Sequence, residues 1–116
     1  MKEDSHLDHE ALSELQEVMD DEFDILISTY LQDSRERIGH LEEASASGDA
    51  ESYTKTAHSL KGSCINIGAP RLGELCYAAE QSGKAGDLSA AGNQVAAIAA
   101  EFAVVTRDLE AYLDKS

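Results

Sequence analysis

The sequence predicts an all-α fold, an antiparallel up-down-up-down four-helix bundle with an additional short N-terminal helix, forming one domain over residues 1–116. Three observations carry this. First, the 116 residues are 42% hydrophobic with only 5% aromatics, one proline and no tryptophan; Ala, Leu, Glu and Asp dominate, a helical composition. Second, Leu88, Ala91, Val95, Ile98, Phe102, Val105, Leu109 and Tyr112 alternate spacings of three and four, the seam of a helix in a bundle. Third, short glycine- and aspartate-bearing turns separate the helical stretches, and no linker or internal repeat divides them. The length suffices for a single core.

The first element runs from about Leu7 to Met19, with Leu12, Leu15 and Met19 on one side, and is expected to cap one end of the bundle. A second helix follows over about 21–46, where Phe23, Ile27, Tyr30, Ser34, Ile38 and Leu41 keep helical spacing. Ser47-Gly48-Asp49 ends it, and Asp49 caps the third helix, over about 49–67, by accepting from an orphan amide. Gly68 supplies the next turn. Pro70 suits the first position of a fourth helix, over about 70–82, because its missing amide hydrogen would be unpaired there anyway. Leu72, Leu75, Cys76 and Ala79 face inward. Ser82 to Asp87 (SGKAGD) reads as a loop, and the last helix covers about 88–113.

A net charge of −14 argues against nucleic acid and anionic membrane surfaces, since both require the protein to supply cations. No apolar run approaches the roughly 20 residues of a membrane span, and the acidic N-terminus does not resemble a signal peptide, so a cytoplasmic location is expected. Cys64 and Cys76 lie on apolar stripes without metal spacing and are expected to be buried free thiols. His6 and His9, in HLDHE, do not form the HExxH zinc arrangement. His40 falls on an exposed helix face.

The most informative stretch is Ala57 to Ala69, AHSLKGSCINIGA. Tyr53, Ala57, Leu60 and Cys64 form a buried stripe, which turns His58 outward. His58 shares its face with Lys61 and Gly62, and with Thr54 and Lys55 one turn earlier. Glycine inside a helix costs roughly 1 kcal/mol relative to alanine, and core packing does not require it on an outward face. Leaving that spot bare gives a second protein access to the imidazole; alternatively, the face is merely solvated and the glycine incidental. Helices rising about 1.5 Å per residue from a turn at Gly68 bring Tyr77, Glu80 and Gln81 level with His58.

AHSLKGS followed by Gly68-Ala69 resembles the signature of histidine-containing phosphotransfer (HPt) domains, and the resemblance extends over nearly the whole chain. It implies a free-standing phosphocarrier in a multistep two-component phosphorelay. His58 would accept a phosphoryl group from a receiver-domain aspartate of a hybrid sensor kinase and pass it to the receiver of a response regulator. Lys61 matches the flanking lysine and Gly62 the small residue beside the histidine. The resemblance implies no cofactor of its own, with Mg²⁺ on the partner receiver. No glycine-rich nucleotide loop is present, so neither ATP binding nor autokinase activity is expected. Related domains commonly hold the histidine with a glutamine where this sequence has Glu80; Glu80 and Gln81 are the alternatives for that role.

Charge is unevenly placed. Between Tyr53 and Lys84, four cations (Lys55, Lys61, Arg71, Lys84) face two anions (Glu74, Glu80), a net of +2, leaving −16 for the rest. A less negative patch suits an acidic receiver pocket and a phosphoryl group. Lys55, Arg71 and Lys84 are therefore expected at the partner surface with Ile65, Leu12 and Leu15, on a monomer. An adaptor bundle with an inert histidine is the other reading; a carboxylate metal bundle is weaker, because the inward stripes are apolar.

Overall fold

The computed structural model describes residues 6–113, so both ends of the expected 1–116 domain lie outside the described residues. Five α-helices build it: α1 (His9–Met19), α2 (Phe23–Ser47), α3 (Ala50–Ile67), α4 (Pro70–Lys84) and α5 (Ala91–Leu113), with a 3-10 turn at Asp20–Glu22. Helices α2 to α5 close a ring of neighbours, each packed on the next and α5 returning to α2, while α1 packs against α2. The tightest association is between α3 and α4.

Capping follows the residue chemistry. The Asp8 carboxylate accepts from the Ala11 amide at 3.1 Å to start α1, and Asp49 accepts from the Ser52 amide at 3.1 Å to start α3. Gly48 (φ 74°) and Gly68 (φ 83°) end α2 and α3 in the left-handed conformation that a Cβ disfavours. The Ala69 amide then donates to the Cys64 carbonyl at 2.8 Å, and Pro70 opens α4. The Asp8 amide donates to the Gly68 carbonyl at 2.7 Å, tying the start of α1 to the α3–α4 turn.

One core runs through all five helices. Leu12, Ile27, Leu41, Tyr53, Leu60, Leu72, Ile98 and Leu109 are fully buried, and each large aliphatic side chain contributes roughly 1.5–3 kcal/mol through burial. The seam residues Ala91, Val95, Ile98, Phe102, Val105 and Leu109 are buried as their spacing indicates. Cys64 and Cys76 are buried free thiols, with the Tyr30 hydroxyl 3.4 Å from Cys64 Sγ. Among the described residues no helix is long and apolar enough to cross a membrane.

Helices α1 and α2 start two residues later than expected, at His9 and, after the 3-10 turn, at Phe23. Two further helix ends differ for reasons visible in the side chains. Helix α5 starts at Ala91 rather than Leu88, because Asp87 accepts from both the amide (3.0 Å) and the hydroxyl (2.7 Å) of Ser89, a local turn that competes with helix. Helix α4 continues to Lys84, through a glycine that reads as a loop signal but serves packing. A Cβ on Gly83 would collide with the Thr54 hydroxyl and lie 3.2 Å from Thr54 Cα, so the glycine permits close approach of α4 to α3. Gly83→Ala is therefore expected to lower stability by about 1–2 kcal/mol despite its better helix propensity, measurable as a lower midpoint in urea.

Candidate functional site

The α3 stripe of Tyr53, Ala57, Leu60 and Cys64 is fully buried, and His58, one position beyond Ala57, is turned by about 100° into solvent. Its side chain is 67% exposed. From α4, Glu80 reaches across with Oε2 2.9 Å from His58 Nδ1, although Glu80 itself is only 3% exposed. Lys61 covers the other carboxylate oxygen, Nζ to Oε1 2.8 Å, and Lys84 lies 3.5 Å from Oε2. Lys61 also sits over the Tyr77 ring, 5.3 Å from its centroid.

The Lys61 hydrogen bond holds the Glu80 carboxyl down at about 2; burial opposes this, and His58 adds to the lowering. An ionised carboxylate only accepts, so the proton of the His58–Glu80 bond belongs to Nδ1. In the neutral ring Nε2 then carries the free electron pair. The group's folded value lies below the ordinary 4.5, so its stabilising contribution is fully present above about pH 4.5 and is lost as pH falls toward 2. Acid titration of stability over this window is expected to be steeper for the native protein than for Glu80→Gln. The difference is about 1–2 kcal/mol after solvent screening, read by urea unfolding at each pH.

Gly62 borders the imidazole, and a Cβ there would meet nothing within 4 Å. Helix packing therefore does not explain the glycine, whereas open approach to His58 does. Glu80, rather than Gln81, meets the histidine; Gln81 is exposed, about 100° away around α4.

The structure divides the remaining expected site residues. Ile65 is 63% exposed on the His58 face. Lys55 is exposed and pairs with Glu51 at 3.4 Å. Lys61 is largely covered rather than free, its charge engaged by Glu80. Leu15 lines an open apolar groove of about 480 Å³ between α1, α2 and α3, with Met19, Leu26, Tyr30 and Ile67. One expectation needs correction. Leu12 is fully buried, because it occupies the core side of α1, and presents no surface to a partner. Arg71 stands near the α3–α4 turn, its Nε 3.5 Å from Glu101 Oε1, while His6 Nδ1 lies 2.6 Å from Glu101 Oε2. That cluster joins the N-terminal segment, α4 and α5 about ten residues along the helices from His58, roughly 15 Å by helical rise.

Sequence reasoning missed Arg37, whose Nε donates to Ser59 Oγ at 3.0 Å and so places an α2 cation beside the residue next to His58. Its position on a polar stripe was visible; the register of α2 against α3, which decides whom it meets, was not.

A family model described as Hpt domain matches residues 25–114. The chain belongs to the HPt family. A solved structure, histidine-containing phosphotransfer protein B (HptB) from Pseudomonas aeruginosa PAO1, is similar at 37% identity and a TM-score of 0.94, covering 98% of this chain and 99% of that one. No curated protein sequence matches the chain. As an HPt protein it is a histidine phosphotransfer component of phosphorelay signalling, a carrier that works with receiver domains.

Proposed function

We propose that His58 takes a phosphoryl group on Nε2 from the aspartyl phosphate of one receiver and delivers it to the aspartate of another, in a cytoplasmic relay between a hybrid sensor kinase and a response regulator. The carrying observation is the contact between His58 Nδ1 and the buried, ionised Glu80, which leaves Nε2 as nucleophile on an otherwise exposed ring. Attack forms the Nε2–P bond as the acyl phosphate P–O bond breaks and the receiver carboxylate departs with the electron pair. Return transfer reverses these events, with imidazole as leaving group. The partner receiver supplies Mg²⁺; this chain acts by presenting the ring, holding its proton and keeping the approach open, without ATP or autokinase activity. The test is incubation with a phosphorylated receiver. Label should move to this protein in an acid-labile, base-stable form; failure to acquire such label from any receiver of the same cell would overturn the reading.

Docking is proposed to centre on Ile65 and the Leu15 groove, with one copy of the chain meeting one receiver, while Lys55, Lys61 and Lys84 steer the encounter. Ile65→Ala is expected to weaken receiver binding by about 1 kcal/mol at both low and high salt, whereas the cost of Lys55→Ala shrinks as salt screens the charge. Calorimetry across ionic strength separates the two. Binding that vanishes in salt while Ile65→Ala changes nothing would mark the interface as electrostatic.

A further inference from the structure

The carboxylate that fixes the ring proton also places a negative charge beside a ring destined to carry a phosphoryl group. Around the ring, α4 contributes Glu80 and Lys84 and α3 contributes Lys61. The two lysines are not equivalent. Lys61 is mostly covered, lies over Tyr77 and binds Oε1, the oxygen facing away from the histidine bond. Lys84 is 58% exposed and shares Oε2 with His58 Nδ1, at 3.5 Å against 2.9 Å. Its position four residues after Glu80, in the last turn of α4, makes this pairing local to one helix.

We infer that Lys84 is a positioning residue that masks Glu80: it cancels the carboxylate's charge as felt by the phosphoryl group, while leaving Oε2 free to accept the Nδ1 proton. This rests on the proposed phosphorylation of His58 and assigns the lysine's role within it. When Nε2 acquires the phosphoryl group and Nδ1 keeps its proton, the ring becomes cationic. Glu80 stabilises that ring at hydrogen-bond range but repels the phosphoryl oxygens across it. Two charges of opposite sign close together act on a distant anion far more weakly than either alone, so a lysine on the same oxygen removes the repulsion and spares the hydrogen bond. An amide at position 80 would accept the same proton without a charge to mask. The inference therefore ties the usefulness of Lys84 to the presence of Glu80.

A double-mutant cycle with Glu80→Gln and Lys84→Gln tests this without a receiver, using phosphoramidate as donor. Its P–N bond breaks, ammonia leaves, and the phosphoryl group passes to Nε2. Phosphohistidine formation is followed by ³¹P NMR. Lys84→Gln is expected to slow formation on the order of three- to tenfold in the native background and less than about twofold in the Glu80→Gln background, with Lys84→Arg restoring the native rate. Thermal unfolding should be nearly unchanged by Lys84→Gln, which a merely structural lysine at the α4 terminus would not satisfy. Equal slowing in both backgrounds would overturn the inference, since Lys84 would then act on the phosphoryl group directly, and so would no slowing in either. Coupling seen with phosphoramidate but no transfer from receivers would sink the relay reading alone; transfer from receivers without coupling would sink only the masking role. A native protein that takes phosphoryl groups from neither source would overturn both.

Discussion

Replacing His58 by glutamine is expected to abolish phosphoryl acceptance, leaving no detectable label after incubation with a phosphorylated receiver, while helicity and unfolding stability change by no more than about 0.5 kcal/mol. The ring is 67% exposed and packs no core, so its loss opens no cavity. Glu80 keeps Lys61 at 2.8 Å and Lys84 at 3.5 Å, and so is not left as an unpaired buried charge. Circular dichroism and urea unfolding check the fold, and a labelled transfer assay checks the function. Retained transfer would remove His58 from the mechanism, and a large loss of stability would make it a structural histidine.

The second large effect is expected at Gly62. Gly62→Gln should block transfer by placing a long side chain over the approach to His58, yet stabilise the bundle by about 0.5 kcal/mol, because glutamine is the better helix former. Open space around the glycine means that nothing opposes this gain. A stabilised protein inactive toward receivers, but still phosphorylated by small phosphoramidate, would localise the defect to docking. Marked destabilisation would instead reveal packing that the bare surface does not suggest. The contrast with Gly83 is instructive: both glycines lie inside helices, and only the second faces a neighbouring backbone.

Much of this arrangement was legible in the sequence because it depends on local rules. Helical spacing turns His58 out once Ala57, Leu60 and Cys64 are turned in, and an antiparallel hairpin with a turn at Gly68 brings residues near Ala78 level with it. The residue types at Gly48, Asp49, Gly68 and Pro70 fix where α3 starts and stops. What remained hidden depends on side chains meeting across elements. Lys61 and Lys84 were legible as nearby cations but not as a pair gathered on one carboxylate. The partnership of Arg71 with Glu101 joins α4 to α5, whose relative register no local pattern encodes. Leu12 and Leu15 illustrate the same limit within one helix. Both lie on the apolar side of α1, but only the docked position of that helix decides that the first is sealed in the core and the second opens on a groove.

The claim on which the mechanism turns is that Glu80 holds Nδ1 of His58 and leaves Nε2 to react. Heteronuclear NMR of the protein after phosphoryl transfer from a receiver, with ¹⁵N-labelled histidine, distinguishes the two ring isomers. The expected result is phosphorus coupled to Nε2 of His58, with a proton retained on Nδ1. Phosphorus on Nδ1, or on any of the other histidines, would contradict the account.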